Sequence, residues 1–569
     1  MKAILFALTS FSICGCAASP RPFPLRDPMW IDTDKHPVSV ACRPDDDKKN
    51  KTGQNCAPAE YVSPFIWDQL DNLTFARWSR GLSIQTTGEA RNINSMDEVP
   101  DSAWFTNREA VAAHDDGAAG ACKPEDILPG PDEVKDGEWV IDHGKDNGST
   151  LGFRVDIPGK GKYMLKADDE GKPERASAAS VIGAAIYDAI GYNTSCEQVV
   201  IVKKSMLKLT EGLKVFDNEG ISHPFDEAAL DKVLKSTTQL PNGLVRFQAS
   251  KWLPGYTLGP FRYIGTRKDD PNDVIDHADR RELRGNRILS AWLDHWDARE
   301  QNSMDVWFAV DKDNKKSSPG FISHYIIDTS DTLGGEVGVD EMSRRLGHAY
   351  EFDAGDIARA LITLGADERP WDRAHYEKGE ERFAYYTDRD FDPGAWRPFY
   401  PNPAFLRMSE RDAAWMARKI AKFSPQDVRK LVELGRWSRP VDIEYLTKIM
   451  IARQRKILYR YLLKLSPLGD VHPEKDRICA TDFARLRELQ PEASFRYTIV
   501  QHEDNKHTPI TAEVSGDGLV CWKPHAGRGD GAPVTFDVRN STAAGPLLVH
   551  AYDLGPKGFK VAGLTRKHP

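Results

Sequence analysis

Between residues 138 and 167 apolar and polar positions alternate: EWVIDHG, then TLGFRVDI, the turn PGKG and KYMLKA. This alternation predicts strands joined by tight turns, each with one face against a core. PERASAASVIGAAIYDAIGYN follows, rich in alanine, and predicts a helix stopped at Gly191. The β-branched run EQVVIVKK and the segment LVRFQASKWL at 244–253 predict two more strands. PGYTLGPFRYIGTRKDDPND reads as loop, and HADRRELRGNRILSAWLDHWD as helix. DVWFAVD and FISHYIID are two strands around the turn DKDNKKSSPG, and the remainder to about Leu465 reads as helices. In VDIEYLTKIMIARQRKILYRYLLKL the residues Ile443, Leu446, Ile449, Ile457, Tyr461 and Leu462 recur at helical spacing. Its basic cluster RQRK is assigned to a solvated face.

After Pro467 the pattern changes to short alternating runs, FRYTIVQHE, GLVCWKP, PVTFDVRN and PLLVHAYDLG among them, separated by Gly, Asp, Asn and Pro. This predicts a small all-β, sandwich-like module over 475–569. At the other end, Met1 and Lys2 precede the apolar stretch AILFALTSFSI, which closes on Cys14-Gly15-Cys16. These features predict a signal peptide over 1–16, with ordinary cleavage and secretion as the alternative to lipidation. Residues 17–75, rich in Pro, Asp and Lys, are expected to be a tether and lead-in, with a helical piece in SPFIWDQLDNLTFARW.

Hydrophobic residues at 40% and charged residues at 28% are those of a soluble globular chain, and 569 residues suffice for two or three domains. The net charge of -8 argues against a nucleic-acid partner, which would require a basic face. With Cys14 and Cys16 assigned to the signal and its lipid, Cys42, Cys56, Cys122, Cys196, Cys479 and Cys521 remain. An even number in an exported chain predicts disulfides, although six cysteines allow about 15 pairings. Cys42–Cys56 and Cys479–Cys521 are expected as local bridges, leaving Cys122–Cys196. No C-x-x-C pair occurs, which argues against structural zinc.

The candidate chemistry centres on HWDAREQN, residues 295–302. H-x-D-x-x-x-x-N is the spacing of a phosphoryl-transfer loop, in which the aspartate orients an acceptor hydroxyl and the asparagine offers its amide oxygen to magnesium. The other parts occur in order. Lys166 lies on a predicted strand after a tight turn, placed to meet nucleotide phosphates, and Glu174 opens the next helix, placed to pair with it. The loop NGSTLG, ending at Gly152, offers backbone N–H groups, though without a full G-x-G-x-x-G. Asp328 ends the apolar strand HYIID, in the position of a second metal ligand. His295 and His324 are read as packed, hydrogen-bonded histidines.

These residues, with NSMDEVPDSAWFTNR at 94–108 and HYIIDTSDTLGG, resemble a group of bacterial exported proteins with a protein-kinase-like fold, related distantly to HipA-like kinases and spore-coat CotH kinases. The likeness spans roughly residues 90 to 340, and more weakly to about 465. It implies an α+β fold of two lobes, 76–243 and 244–466, followed by the β-module. It implies ATP and Mg2+ as cofactors, with Lys166, Asp297, Asn302 and Asp328 carried over by position and Trp252 and Leu253 as the hinge that meets adenine. I-C-G-C resembles a bacterial lipobox, which makes Cys16 a lipid anchor to the membrane and places the chain at the cell envelope, on the outer membrane. The sequence departs from kinases at Trp296, where an arginine is usual, and at Thr329-Ser330, where Phe-Gly follows the metal-binding aspartate. The implied activity is phosphoryl transfer to a hydroxyl acceptor; nucleotidyl transfer with the same residues and a non-catalytic envelope scaffold are the alternatives.

Overall fold

The computed structural model describes residues 25, 27–39, 70–75, 78–79, 82, 88–108, 118–145, 150–169, 171–216, 221–313, 318–503, 506–525, 529 and 531–567. The lipobox with Cys16, most of the tether, the Cys42–Cys56 loop and residues 147–149 of the expected phosphate loop lie outside them.

Strands and helices combine as an α+β fold. The strands Ala118–Gly120 (β1), Trp139–Gly144 (β2), Gly152–Ile157 (β3) and Gly161–Lys166 (β4) precede the helix Arg175–Ile190 (α1), which Gly191 caps. Cys196–Lys203 (β5), Leu207–Leu209 (β6) and Leu244–Lys251 (β7) complete a seven-stranded sheet in the order β1-β5-β7-β4-β3-β2-β6. Alternation divides its residues between two faces. Phe153, Val155, Tyr163, Leu165, Phe247 and Ala249 enter one core, closed by Leu230, Val233 and Leu234 of the helix Glu227–Ser236. The opposite face carries Lys166, Gln248, Ser250 and Glu197 beneath α1, of which every residue but Asp188 and Ala189 is buried. The strand at 244, expected to begin the second lobe, is thus hydrogen-bonded inside the first sheet, between β5 and β4.

The second body is built on Arg281–Leu293 (α2), the hairpin of Ser303–Ala309 (β8) and Gly320–Ile326 (β9), and the helices Glu410–Ala421 (α3) and Pro440–Leu462 (α4). Trp292, Trp415, Met450 and Ile457 join one core with the apolar face of α1. Two expectations change here. Arg453 and Gln454 of the RQRK cluster are buried, and the Arg453 guanidinium donates to the carbonyls of Trp292, Ala291 and Thr387. The stretch expected to be wholly helical contains a largely irregular span over 363–402, with short 3-10 turns.

The C-terminal module holds two antiparallel sheets around one core, with Ile478, Val520 and Trp522 from one and Phe536, Val538 and Val549 from the other. Its first strand is Leu468–Glu474, so the sheet begins before 475, and one short helix, Phe483–Leu486, interrupts it. Asp97, in the left-handed region at φ 59°, ties module to body. Its carboxylate receives Arg281 at 2.8 Å, Arg411 at 2.9 Å, Arg418 at 3.2 Å and Arg566 of the last strand at 2.7 Å. Cys122–Cys196 and Cys479–Cys521 are bridged as expected. Disulfides indicate folding in an oxidising compartment outside the cytoplasm. Among the described residues no helix is long and apolar enough to cross a membrane.

Candidate functional site

The β8–β9 hairpin assembles the site. Ser303 pairs with Ile326, and Ile327 N–H donates to Asn302 O at 3.0 Å, so the residue before one strand and the residues after the other meet at one end. α2 ends at Leu293 with Asp294 as a left-handed cap, and HWDAREQN turns back from there to the hairpin. Asn302 Nδ2 donates to Asp297 Oδ2 at 2.9 Å and to Asp297 O at 2.8 Å, which locks the octapeptide on itself. Asp328, at φ 55°, turns its carboxylate across to the sheet, where Lys166 Nζ lies 2.8 Å from Oδ1. Ser330 Oγ donates to the same oxygen at 2.8 Å. Lys166 and Asp328 therefore meet between the sheet and the hairpin, and Asp297 and Asn302 hold each other at the same end of that hairpin.

A close approach of α1 fixes the Asp328 turn. Thr329 Oγ1 donates to Ser180 O at 3.0 Å, and a Cβ on Gly183 would stand 2.7 Å from Thr329 Cβ. Arg175 Nη1 donates to Ser330 O at 2.8 Å and Thr332 O at 2.9 Å. Trp296 packs with Leu346 and Phe399.

The charges are strongly perturbed. Burial pushes the Asp297 carboxyl up to about 7; Arg299 opposes this and Asp331 adds to it. Asp331 is likewise raised by burial to about 7. Desolvation works against the charge on Asp328, whose side chain stays partly exposed, but Lys166 overcomes that and holds it down to about 2. Burial lowers His295 to about 4, leaving a neutral ring whose Nδ1 is 2.8 Å from the Tyr187 hydroxyl. His324 is packed as expected, 2.6 Å from Asp305 and stacked on Trp104.

Three further charged groups near these residues are given no role by the sequence reading. Asp331 accepts the Asp297 N–H at 3.0 Å and lies 3.5 Å from His295 Nε2; its only signal is a second aspartate in IIDTSD. Lys145, at the entrance to the expected phosphate loop, is lowered to about 8 by burial and then by Lys166, with Asp328 opposing. Glu197, which opens a β-branched run, is a buried carboxylate whose charge acts on Lys166.

Other expected site residues sit elsewhere. Glu174 does not serve Lys166: its Oε2 accepts from Arg382 Nη1 at 3.1 Å and from Ser438 N–H at 3.0 Å, across to the helical body. Gly152 is demanded by its own sheet, since a Cβ there would stand 2.4 Å from Leu165 O. The Trp252 N–H is taken by Lys162 O at 2.8 Å, and the Arg154 guanidinium lies over the Trp252 ring at 4.9 Å. Leu253 follows, half-buried.

The donor set suits a hard cation. Asp331 Oδ1 is a buried oxygen without a hydrogen-bond partner, whereas Asp297 Oδ1 is ion-paired with Arg299 Nε at 2.8 Å, and every candidate ligand is oxygen. The carboxylates are not drawn together into a closed cage. Among the described residues only His472, Glu474 and Cys479 form a trio within 4.8 Å, and Cys479 is spent in its disulfide. Magnesium tolerates such an open set, because it is usually held by one or two carboxylates, waters and substrate phosphates. No family model matches the chain, and no curated protein and no solved structure matches it.

Proposed function

We propose that the chain is a kinase-like phosphotransferase that passes a phosphoryl group from magnesium ATP to a hydroxyl acceptor at the cell envelope, held to the membrane by lipid on Cys16. The observation that carries this reading is the meeting of Lys166, on the sheet, with Asp328, after the hairpin, beside the hydrogen-bonded pair Asp297 and Asn302. The run of strand pair, lysine strand, helix and strand supports it, since that is the order of a kinase small lobe. The two disulfides support export.

When bound, magnesium ATP supplies the transferable group and part of the charge neutralisation. Lys166 and Lys145 would meet phosphate oxygens, and Asn302 and Asp328 would present oxygens to the cation. Asp297 receives or orients the acceptor hydroxyl proton. With its carboxyl near 7, it is ionised only in neutral to alkaline solution. Asp331 braces Asp297 by accepting its backbone N–H, and His295 stands 3.5 Å from Asp331 on that side.

One observation favours the competing reading, a non-catalytic envelope scaffold: the Trp252 N–H, the donor expected to meet adenine, is already hydrogen-bonded to Lys162 O. Thermal melting with ATP analogues, with and without magnesium, separates the two. A ligand at a hundredfold excess over its Kd stabilises by about 2.7 kcal/mol. A magnesium-dependent rise in Tm supports the enzyme, and an unchanged Tm at millimolar nucleotide supports the scaffold. The group gained by a labelled acceptor then distinguishes phosphoryl from nucleotidyl transfer.

A further inference from the structure

The hairpin of Tyr497–Glu503 and Lys506–Ile510 edges the five-stranded sheet of the C-terminal module, and His502 and His507 are direct register partners across it. Register partners share one face, with Cβ atoms about 5 Å apart. Ile499 enters the core of the module, so His502, three residues on, stands on the opposite, outer face. There the two rings close on each other. Nδ1 of His502 lies 2.6 Å from Nδ1 of His507, with the ring planes 68° apart. His502 is half-buried and His507 exposed, so the pair is open to solvent. Thr535, the partner of His502 on the next strand, is bonded to His550 instead at 3.1 Å. Among the described residues no other group hydrogen-bonds either ring.

Two facing nitrogens at that distance share a single proton, one ring donating Nδ1–H and the other offering a lone pair. Burial and then His507 disfavour the charged form of His502; Lys567 adds to this and Asp537 opposes it. One change of tautomer turns the pair into a chelate. The ring that holds the Nδ1 proton takes it at Nε2 instead, through solvent, and both rings stay neutral with two lone pairs converging on one point. Nitrogens about 2.0 Å from a shared ion stand about 2.8 Å apart at the right angle of a square-planar site and about 3.3 Å apart at a tetrahedral angle. The observed 2.6 Å is nearer the first, which is the geometry of Cu2+, and imidazole suits that ion. Cu2+ is also the oxidised form of copper, in keeping with the compartment that the disulfides indicate. We infer that His502 and His507 chelate Cu2+ through their Nδ1 atoms on the outer face of the β-module, with water in the remaining positions. The inference is independent of the nucleotide reading above.

The test titrates the full chain with Cu2+ at neutral pH and reads the bound ion by electron paramagnetic resonance. Wild type is expected to give a tetragonal signal with hyperfine coupling to a pair of nitrogens. His507→Asn is expected to weaken binding about 10²-fold, because the second nitrogen of a chelate acts at the effective concentration that the first sets. His507 is exposed, so this variant is expected to melt like wild type when copper is absent. His502→Asn is expected to lose the same signal. His472→Asn, on the other sheet of the module, is expected to leave the signal unchanged and serves as the control. Equal copper affinity in wild type and the two hairpin variants overturns the inference, as does a wild-type Kd weaker than about 1 mM. Zn2+ that displaces copper at equal concentration overturns the choice of metal.

Discussion

Asp297 and Asp328, near one end of the β8–β9 hairpin, have opposite electrostatics. Asp328 has a cation at 2.8 Å, so its stabilising ionisation is present above its ordinary value of 3.8 and is lost as pH falls toward about 2. Asp297 is raised, so the folded chain holds its proton more tightly than the unfolded chain. That contribution is full below the ordinary value and is lost as pH rises through about 7. Asp297→Asn is therefore expected to be more stable than wild type at pH 8, by about 1–3 kcal/mol, and equal to it near pH 4. Thermal melts across that range check it. The same substitution should lower transfer by about 10²–10⁴-fold while nucleotide binding persists, because Asp297 acts on the acceptor. Wild-type turnover should rise as pH passes about 7; a flat profile there would count against Asp297 as the base. Lys166→Met leaves Asp328 without its cation. The Asp328 side chain keeps 36% exposure, so water takes part of the load and the expected cost is about 1–2 kcal/mol. Adding Asp328→Asn should return most of it, and an additive double variant in urea melts would deny the coupling.

At the scale of elements, the site depends on how closely α1 lies against the Asp328 turn. An alanine for glycine inside a helix normally gains about 1 kcal/mol. At Gly183 the added Cβ would meet Thr329 at 2.7 Å, so overpacking is expected to exceed that gain. Gly183→Ala should destabilise by about 1–2 kcal/mol and weaken magnesium-dependent nucleotide binding, since Thr329 and Asp328 share one turn. Denaturant melts with nucleotide titration test this, and a stabilised variant would show that the turn yields. The hairpin register works the same way. A strand slipped by one residue reverses its faces and removes Asn302 from Asp328.

For the whole molecule, Asp97 is the point where the N-terminal segment, the helical body and the last strand of the β-module meet. Burial opposes its charge, but Arg281, Arg418, Arg566 and Arg411 hold its carboxyl well below the usual range. Removing one member of a buried network leaves the rest uncompensated, at a cost of about 3–5 kcal/mol. Asp97→Asn should therefore uncouple module from body, and calorimetry should resolve two transitions where wild type gives one. A single transition at an unchanged temperature would mean that apolar contacts alone hold the two together.

Much of this was legible along the chain. Period-two alternation marks β2 to β4, helical spacing marks α4, and Gly191 marks the end of α1, because these follow from local geometry and burial on one face. The paired cysteines of the β-module were readable for the same reason, being close in a short run of strands. HWDAREQN and Lys166 stand out by spacing alone. What spacing does not carry is which distant groups share a buried charge. Glu174 and Glu197 are both acidic residues near the lysine strand, yet the fold gives Glu174 to Arg382 and encloses Glu197 among Ser180, Ser195, Ser250 and Gln248. Arg453 reads as a solvated cation, but tertiary packing encloses it with three carbonyls. Asp97 and Asp331 lie in stretches that carry the likeness, but no spacing there assigns them a role; their roles follow from the low dielectric and the neighbours that packing supplies. Local order is written in neighbouring residues, whereas electrostatic partnership is decided only when segments far apart in the chain are buried together.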